Sequence, residues 1–440
     1  MQHSECEKPV MVIVTTLFFN RIGNQSLLET VKQYAKKYRI IFITAASKYN
    51  SYYMDEKNAK LEFESDLIFY RVYQIIPNLF RYLKGRLSCF KMKTKKTTVA
   101  YSDTALQNAV YSKVNLISAQ IAGWFLYYKL NTVIKKYNPC IVCAYEVFAV
   151  PAVIKAKKRF STKKIKYLAK FQGTVLGFDY KNNNFPLLYK KYKPDIDAFR
   201  LCNKFDVCAI TNDGTNGKQV LEFFGVASNK ILYEPNGISN YIQEIKTNIR
   251  IDNAFDDGKT INLFTLSRLI GWKRVYLSIE IINKLVNVFH NTRYFLNIYG
   301  YGTKDENDTL MRLIDSYHLH NYVCIHGAVA HTKLVEVYNK NHIMLSLYKY
   351  TNVTNPVIEA LYLYKPVITL HDDNLDFLLK DINTNRVFIY KDLGDEYIVE
   401  QIAVFLNNTI FQFEQANERL QNIFNWERRI QRELALLQKP

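Results

Sequence analysis

The segment from Leu345 to Leu370 constrains the fold of this chain more than any other. Apolar runs at 343–347 and 367–370 have the length and composition of buried strands. Between them lie a polar loop at 350–355 and a short helix that begins at Pro356, because proline is tolerated in the first turn of a helix. A strand, a loop, a helix and a second strand form an α/β crossover, which joins parallel strands. The segment therefore predicts a parallel sheet covered by helices.

Glu359 is the only acidic residue on the helix of this crossover, and it lies within one turn of the helix N-terminus. A glutamate there can simply face the helix dipole, which contributes about 0.3 to 1 kcal/mol. In open parallel sheets, however, ligands bind at the carboxyl ends of strands and at helix N-termini. Glu359 is therefore a candidate ligand-binding residue.

The same alternation of strands and helices opens both halves of the chain. Strands are predicted at 9–17 and 40–45, with Ser26 as the cap of the helix between them, and again at 261–266 and 294–299. The loop after the first strand has no Gly-x-Gly-x-x-Gly pattern, so a dinucleotide site is not supported. A chain of 440 residues exceeds the size at which a single core stops growing, so two domains are expected.

The formal net charge of +19 is the strongest signal in the composition. It indicates an anionic partner, which can be nucleic acid, an anionic membrane face or a phosphate-bearing substrate. No zinc-finger, basic-zipper or RNA-binding pattern is present, which argues against nucleic acid. No apolar run reaches the length of a membrane span, and the 7 scattered cysteines fit a reducing compartment.

Residues 81–96 carry basic side chains and no acidic one. Most charge runs of this kind are solvated segments. A membrane-surface or phosphate-binding patch is the alternative, in which each basic residue near an anionic surface contributes about 1 kcal/mol. The sequence leaves the two interpretations open.

Arg268 and Lys273 follow the predicted strand at 261–266 and precede a helix whose apolar residues recur at helical spacing. Two cations beside free main-chain N–H groups form a site suited to a diphosphate. Two exposed basic residues in a very basic protein are the simpler alternative. Their position at a strand's carboxyl end favours the diphosphate site.

Several motifs together resemble the retaining glycosyltransferases of family four, which have the GT-B fold. Glu359-Ala360 followed by Pro366-Val367 is similar to the second half of the family's donor-sugar motif. Ser267-Arg268-Leu269 with Lys273 is similar to its phosphate-binding motif, and Pro235-Asn236-Gly237 to the turn that ends its first domain. Two positions depart from the pattern, because Thr351 stands where the family has its first motif glutamate and Arg274 where it has a glycine.

The resemblance implies an α/β architecture of the GT-B type, in which two Rossmann-like domains face each other across a cleft. Residues 1–245 would form the acceptor-binding domain and residues 246–405 the nucleotide-sugar-binding domain. Residues 406–440 would form a C-terminal helix that returns to the first domain.

The resemblance also assigns the site residues. The catalytic set is Arg268, Lys273 and Glu359. The donor-binding set is Gly300, Gly302, Gly327, Val329, Tyr350, Thr351, Asn352, Val353, Thr354 and Asn355. The acceptor-side set is Gly23, Tyr145, Glu146, Gln172, Gly173 and Thr174. No metal ligand and no cofactor are expected.

The activity implied is transfer of a sugar, with retention, from a UDP- or GDP-linked donor to a saccharide or lipid-linked saccharide in cell-surface polysaccharide or lipopolysaccharide synthesis. Such an enzyme would be cytoplasmic and would sit at the inner face of the membrane. Two alternatives remain. A catalytically inactive nucleotide- or carbohydrate-binding relative would have lost activity along with the first glutamate. A nucleic-acid-binding protein would explain the charge, but the 81–96 stretch has few aromatic residues for base stacking.

Overall fold

The computed structural model describes residues 8–21, 25–46, 53–63, 67–71, 121–177, 180, 185–245, 259–371, 387–409 and 423–439. Within these ranges the strands form two separate sheets, and every pair of neighbouring strands is parallel. Helices alternate with the strands along the chain. The predicted α/β class with two Rossmann-like sheets is confirmed.

The first sheet has the strand order β3-β2-β1-β4-β5-β6-β7. Its strands are β1 Val10–Thr15, β2 Arg39–Thr44, β3 Ile68–Arg71, β4 Ile141–Tyr145, β5 Lys166–Phe171, β6 Val207–Thr211 and β7 Ile231–Glu234. The helices around it are α1 Ser26–Ala35, α2 Glu56–Leu61, α3 at 121–137, α4 Val150–Arg159, α5 Phe185–Phe199, α6 Gly217–Phe223 and α7 Asn240–Ile245. Apolar side chains are buried on both faces of this sheet, as expected when helices cover a parallel sheet.

The second sheet has the order β10-β9-β8-β11-β12-β13. Its strands are β8 Ile261–Leu266, β9 Tyr294–Tyr299, β10 Val323–Gly327, β11 Ile343–Ser346, β12 Val367–Leu370 and β13 Val387–Tyr390. The helices are α8 Val275–Asn283, α9 Lys304–Ser316, α10 Leu334–Lys340, α11 Asn355–Tyr362 and α12 Asp395–Asn408. The crossover predicted between 343 and 370 is present as β11, α11 and β12.

Each sheet reverses its strand order at one point, between β1 and β4 in the first sheet and between β8 and β11 in the second. At such a switch point the connecting segments leave in opposite directions and open a crevice at the carboxyl ends of the strands, where ligands bind. The loops after β4, β8 and β11 are therefore placed at the crevices by topology alone.

The last described helix, α13 Trp426–Gln438, packs against α1, β6 and β7 of the first sheet. Ile430, Leu434 and Leu437 of this helix are buried in the core of that sheet. The predicted return of the C-terminal helix to the first domain is confirmed.

Charged groups are also buried under α13. Lys170, at the end of β5, donates a hydrogen bond of 2.5 Å to Glu433, and both side chains are fully buried. Tyr34 of α1 donates to the other oxygen of Glu433. Burial is the main cause that lowers the pKa of Lys170, and Glu433 opposes it. Lys170 and Tyr34 thus both donate to the one buried carboxylate of Glu433.

The domain boundaries predicted at 245–246 and 405–406 stay predictions. Residues 246–258, next to the first boundary, lie outside the described residues, and α12 runs across the second. The basic stretch at 81–96 also lies outside the described residues. Within the described ranges, none of the helices combines the length and the hydropathy of a membrane-spanning segment.

Candidate active site

The loop after β8 carries Lys273 into the crevice of the second sheet. Residues Gly271–Lys273 form a single 3-10 turn, and the lysine side chain is 9% exposed. Its Nζ atom lies 3.5 Å from the ring centroid of Tyr348 and 4.1 Å from that of Trp272. Neither a hydrogen bond nor an ion pair holds this ammonium group among the residues that the structure describes. An anionic ligand could therefore pair directly with this cation.

The charge of Lys273 depends on its surroundings. Burial and, to a smaller extent, the positive charge of Arg268 lower the pKa of the ammonium group to about 7. Asp213, from the first sheet, acts in the opposite direction. Arg268 itself is exposed. The two predicted phosphate-binding cations thus influence each other, and a carboxylate of the other domain faces them.

Arg274, the neighbour of Lys273, has a different role. Its backbone has φ 44° and ψ 40°, in the left-handed region that a glycine adopts without strain. The resembled family has a glycine at this position. Any other residue in this backbone conformation raises the free energy of the folded chain by about 1 to 2 kcal/mol. Its guanidinium group pairs with Asp392 and Asp395 beside the start of α12, the latter at 3.2 Å. Arg274 is therefore a structural residue that ties two elements of the second domain together.

Glu359 lies on α11, partly buried, and its Oε2 atom accepts a hydrogen bond of 3.0 Å from the Tyr338 hydroxyl. Burial raises the pKa of this carboxyl to about 7, and the bond from Tyr338 opposes the rise. Thr354 is the N-cap residue of α11 and makes no side-chain cap bond. The first turn of α11 thus has N–H groups that its cap side chain does not bind.

The loop from 350 to 355 is held mainly by Asn352. Its Oδ1 accepts from the Tyr348 main-chain N–H at 3.1 Å, and its Nδ2 donates to the Tyr348 carbonyl at 3.1 Å. Val353 is 3% exposed and packs in the core. Tyr350 is 44% exposed, and its ring centroid lies 6.0 Å from that of Trp272. Among the predicted donor-binding side chains, Asn352 and Val353 shape the loop while Tyr350 is open to solvent.

Close backbone packing explains two of the predicted donor-site glycines. A Cβ atom on Gly300 would lie 1.7 Å from the Ser267 carbonyl oxygen, and one on Gly302 would lie 2.8 Å from that of Leu269. Gly327 has a positive φ of 74°, at the end of β10. Val329, after β10, packs against the core of the second sheet. These residues line the same end of the sheet as Lys273, and their contact with a donor stays a prediction.

The first domain presents Tyr145 and Glu146 at the end of β4. Glu146 has φ 70° and ψ 161°, a conformation that side chains rarely adopt and that persists only where the surroundings enforce it. Its Oε1 atom accepts from the Gln172 N–H at 2.8 Å, and the Gln172 amide donates to the Tyr145 hydroxyl. Burial raises the pKa of Glu146 to about 7, with Asp195 and Asp213 adding to the rise. Three of the predicted acceptor-side residues are thus in direct contact.

Gly173 and Thr174 follow in the same loop and meet the loop after β6. The Thr174 N–H donates to the Thr215 hydroxyl at 3.1 Å. A Cβ atom on Gly173 would lie 2.3 Å from Oδ2 of Asp213, so only glycine leaves room for that carboxylate. Gly23, the remaining acceptor-side prediction, lies outside the described residues.

The two domains touch through polar groups across the crevice. The Thr351 hydroxyl donates to the main-chain carbonyl of Asp213. Asn236 donates to Oδ1 of Asn355 at 3.1 Å and to the Ser26 hydroxyl at 3.0 Å. The described members of the two predicted sets, one set per domain, therefore lie on opposite walls of one cleft.

Sequence reasoning missed several members of this cleft. Ser26 was predicted to cap α1, but the cap residue is Gln25 and no side-chain cap bond forms, so that prediction is wrong. In the sequence, Asn236 is explained by its place in a Pro-Asn-Gly turn. In the structure its Oδ1 atom also accepts hydrogen bonds from the Thr211 hydroxyl at 3.3 Å and from the Arg429 guanidinium group. No local pattern marks such residues, because their partners are distant in sequence. In the described part of the chain no group of histidine, cysteine or acidic residues is arranged to hold a metal ion.

Residues 245–423 match the sequence model of the family described as "Glycosyl transferases group 1". No curated protein matches the sequence. The structure is similar to sucrose-phosphate synthase from Thermosynechococcus elongatus, with a TM-score of 0.64, 11% identity and coverage of 97% of this chain and 98% of that one.

Two further solved structures carry bound molecules. HepE from Anabaena, in complex with UDP and glucose, has a TM-score of 0.63 at 11% identity and covers 97% of this chain and 99% of that one. A TarM variant from S. aureus, in complex with fondaparinux, alpha-GlcNAc-glycerol and UDP, has a TM-score of 0.57 at 13% identity and covers 98% of this chain and 100% of that one. At these identities the likeness concerns the fold, and it confirms the predicted GT-B architecture over nearly the whole chain.

Proposed function

We propose a donor, an acceptor class and a stereochemical course for this chain, whose residues 245–423 match the sequence model of the group 1 glycosyl transferases. The donor is a nucleotide-diphosphate sugar linked to UDP or GDP. The acceptor is a saccharide or a lipid-linked saccharide, and the anomeric configuration is retained. The observation that carries this proposal is Lys273, a nine-tenths-buried cation without a carboxylate partner among the described residues, beside Arg268 and at a strand's carboxyl end.

The second domain binds the donor in this proposal. Arg268 and Lys273 bind the diphosphate, whose negative charge grows as the sugar leaves, and fixed cations in a site with little water stabilise that charge. Glu359 accepts hydrogen bonds from the ribose hydroxyls. The main-chain N–H groups of the loop from Thr351 to Asn355 and of the first turn of α11 contact the sugar or its phosphate.

The reaction proceeds on one face of the sugar. The bond from the anomeric carbon to the β-phosphate oxygen breaks, and the acceptor hydroxyl oxygen bonds to the same carbon from the same side. The proton of that hydroxyl passes to the departing phosphate oxygen. This course requires neither a nucleophile from the protein nor a metal ion.

The first domain binds the acceptor. Tyr145, Glu146 and Gln172 form a connected group on its wall of the cleft. HepE in complex with UDP and glucose and TarM in complex with UDP and a saccharide have the same fold, which supports a nucleotide donor and a saccharide acceptor here. The net charge of +19 supports an acceptor at an anionic membrane face, as in cell-surface polysaccharide or lipopolysaccharide synthesis.

An inactive nucleotide- or carbohydrate-binding relative is the second candidate, and the absence of a glutamate at Thr351 is the observation that favours it. Arg268 and Lys273 fit both candidates, because binding a sugar nucleotide and transferring its sugar both use phosphate-binding cations. Turnover separates the two candidates, since the inactive relative binds a sugar nucleotide without breaking it down.

The test uses the purified protein with UDP-glucose, UDP-galactose, UDP-N-acetylglucosamine and GDP-mannose, and measures release of UDP or GDP. We expect release from one donor, at a rate that Lys273→Ala lowers. Proton NMR of the first product, with an α-linked donor, should show an α-anomer. Binding without release would establish the inactive relative, and a β-anomer would contradict retention.

A further inference from the structure

Thr351 occupies the position of the carboxylate that the resembled motif carries, and its hydroxyl is already engaged. It donates to the main-chain carbonyl of Asp213, which belongs to the loop after β6 of the other domain. This contact places the Asp213 residue directly opposite the loop proposed to lie under the donor sugar. Thr351, which stands where the resembled motif has a carboxylate, thus contacts Asp213, which carries one.

We propose that the Asp213 carboxylate, carried by the first domain, binds hydroxyl groups of the donor sugar in place of the carboxylate that Thr351 does not supply. The inference rests on the proposed function and adds a residue to it. In the proposed function the sugar extends from the diphosphate on Lys273 toward the Thr351 loop. Asp213 contacts that loop and acts electrostatically on Lys273.

The orientation of the carboxylate is fixed by its neighbours. Oδ1 accepts from the Thr215 hydroxyl at 2.6 Å and from the Thr215 N–H at 3.1 Å. Oδ2 lies over Gly173, where a Cβ atom would stand only 2.3 Å away. A carboxylate held in this way keeps its geometry without a ligand, which lowers the entropy lost when it binds one.

Two electrostatic effects agree with this placement. Asp213 raises the pKa of Lys273, so its negative charge acts on the proposed phosphate-binding cation of the second domain. It also raises the pKa of Glu146 on the acceptor wall. The carboxylate therefore acts on the donor cation and on the acceptor-side carboxyl, the two sides between which a transferred sugar must lie.

The arrangement has a functional consequence. When both sugar-binding and phosphate-binding groups sit on one domain, the donor can bind fully to an open cleft. With Asp213 on the first domain, the hydroxyl contacts form only when the domains are together. Sugar recognition is then coupled to domain closure, while recognition of the nucleotide is not.

The test compares the affinity for UDP and GDP with the affinity for UDP-glucose, UDP-N-acetylglucosamine and GDP-mannose. Asp213→Asn keeps an oxygen for Thr215 and removes the charge. At pH 6, below the Lys273 pKa of about 7, we expect affinity for the nucleotide diphosphate to stay within about threefold. Affinity or turnover for the sugar nucleotide should fall by about 10- to 100-fold. Asp308→Asn, on the exposed surface of α9, is the matched control and should change neither.

A rescue variant separates sugar binding from folding. Adding Thr351→Glu to Asp213→Asn returns a carboxylate to the other side of the same space and should restore transfer at least about fivefold. Thr351→Glu alone places two carboxylates together and should weaken transfer.

The outcomes distinguish the inference from the function on which it rests. A protein that binds no nucleotide diphosphate contradicts the proposed function. Normal nucleotide binding with transfer that Asp213→Asn leaves intact overturns only the role of Asp213. Equal weakening of UDP and UDP-sugar binding, without rescue by Thr351→Glu, also overturns it, because Asp213 would then only hold the domains together.

Discussion

The Nζ atom of Lys273 lies 3.5 Å from the ring centroid of Tyr348, which comes from the loop after the neighbouring strand β11. Trp272 supplies a second ring at 4.1 Å. Aromatic faces attract a cation without neutralising it, so the charge remains available to an anion. The crevice at the switch point of the second sheet is thus prepared for a negatively charged ligand by residues from two of its strand ends.

Two adjacent basic residues provide the first prediction. Lys273→Ala should lower kcat/KM for sugar transfer by at least about a hundredfold, because a principal electrostatic contact to the diphosphate is lost. Arg274→Gly should keep kcat/KM within about threefold, because Arg274 pairs with Asp392 and Asp395 and glycine suits its left-handed backbone. Equal losses in the two variants would contradict the assignment of Lys273 to the phosphate site.

Proton uptake on nucleotide binding is the second prediction. The pKa of Lys273 is lowered to about 7, so at pH 8 most of the free protein has a neutral amine, whereas the diphosphate favours the ammonium form. Calorimetric titration with UDP or GDP at pH 8, in buffers of different ionisation enthalpy, should show uptake of a proton. Affinity should fall by up to about tenfold per pH unit above pH 7. In Lys273→Arg, which stays charged, the uptake should disappear; if it persists, another group is responsible.

The third prediction concerns Glu359. Its pKa in the folded protein is raised to about 7, above the value of an unfolded chain, so the stability it contributes is present below pH 4.5 and is lost as the pH rises through 7. Glu359→Gln removes a buried charge at pH 8 and keeps an acceptor for Tyr338. We expect a higher Tm than the unsubstituted protein at pH 8, a smaller difference at pH 5, and transfer about a hundredfold slower. A lower Tm at pH 8 would mean that the charged carboxylate stabilises the fold.

Two glutamates of the C-terminal helix provide the fourth prediction. Glu433→Gln leaves the fully buried Lys170 without its counter-charge and should reduce the free energy of unfolding by about 3 to 5 kcal/mol. Glu427→Gln breaks the exposed ion pair with Lys36 and should change the free energy of unfolding by less than about 1 kcal/mol. Urea unfolding measures both variants. Similar values would show that the charges under α13 do not fix the helix.

The sequence predicted the parts of this protein that have a local signature. The crossover from 343 to 370 and the strand at 261–266 follow from apolar periodicity, and the structure contains both. The return of the C-terminal helix follows from the resemblance to the GT-B family, and it is also present. The positions of Lys273 and Glu359 at strand and helix ends followed from the same reasoning. The assignment of roles to these residues stays a prediction.

What the sequence did not predict depends on long-range contacts. Arg429 lies beside the apolar stripe of α13, and a charged residue at such a position is usually exposed. In the structure it is 2% exposed and donates a hydrogen bond of 3.0 Å to the Thr211 hydroxyl. Lys170 lies within a strand and is buried because Glu433 comes from the other end of the chain. Asp213 became a candidate only when the fold placed it against Thr351. Such pairs are visible only once the elements are packed.

The most direct test of the account is a thermal-shift panel of the purified protein. It covers UDP, GDP, ADP, CMP and their common sugar conjugates, with NAD and a DNA oligonucleotide as controls. The account predicts that one nucleotide diphosphate and its sugar conjugate raise Tm, and that Lys273→Ala abolishes the rise while Arg274→Gly retains it. No shift with any nucleotide, together with a salt-sensitive shift with DNA, would contradict the account.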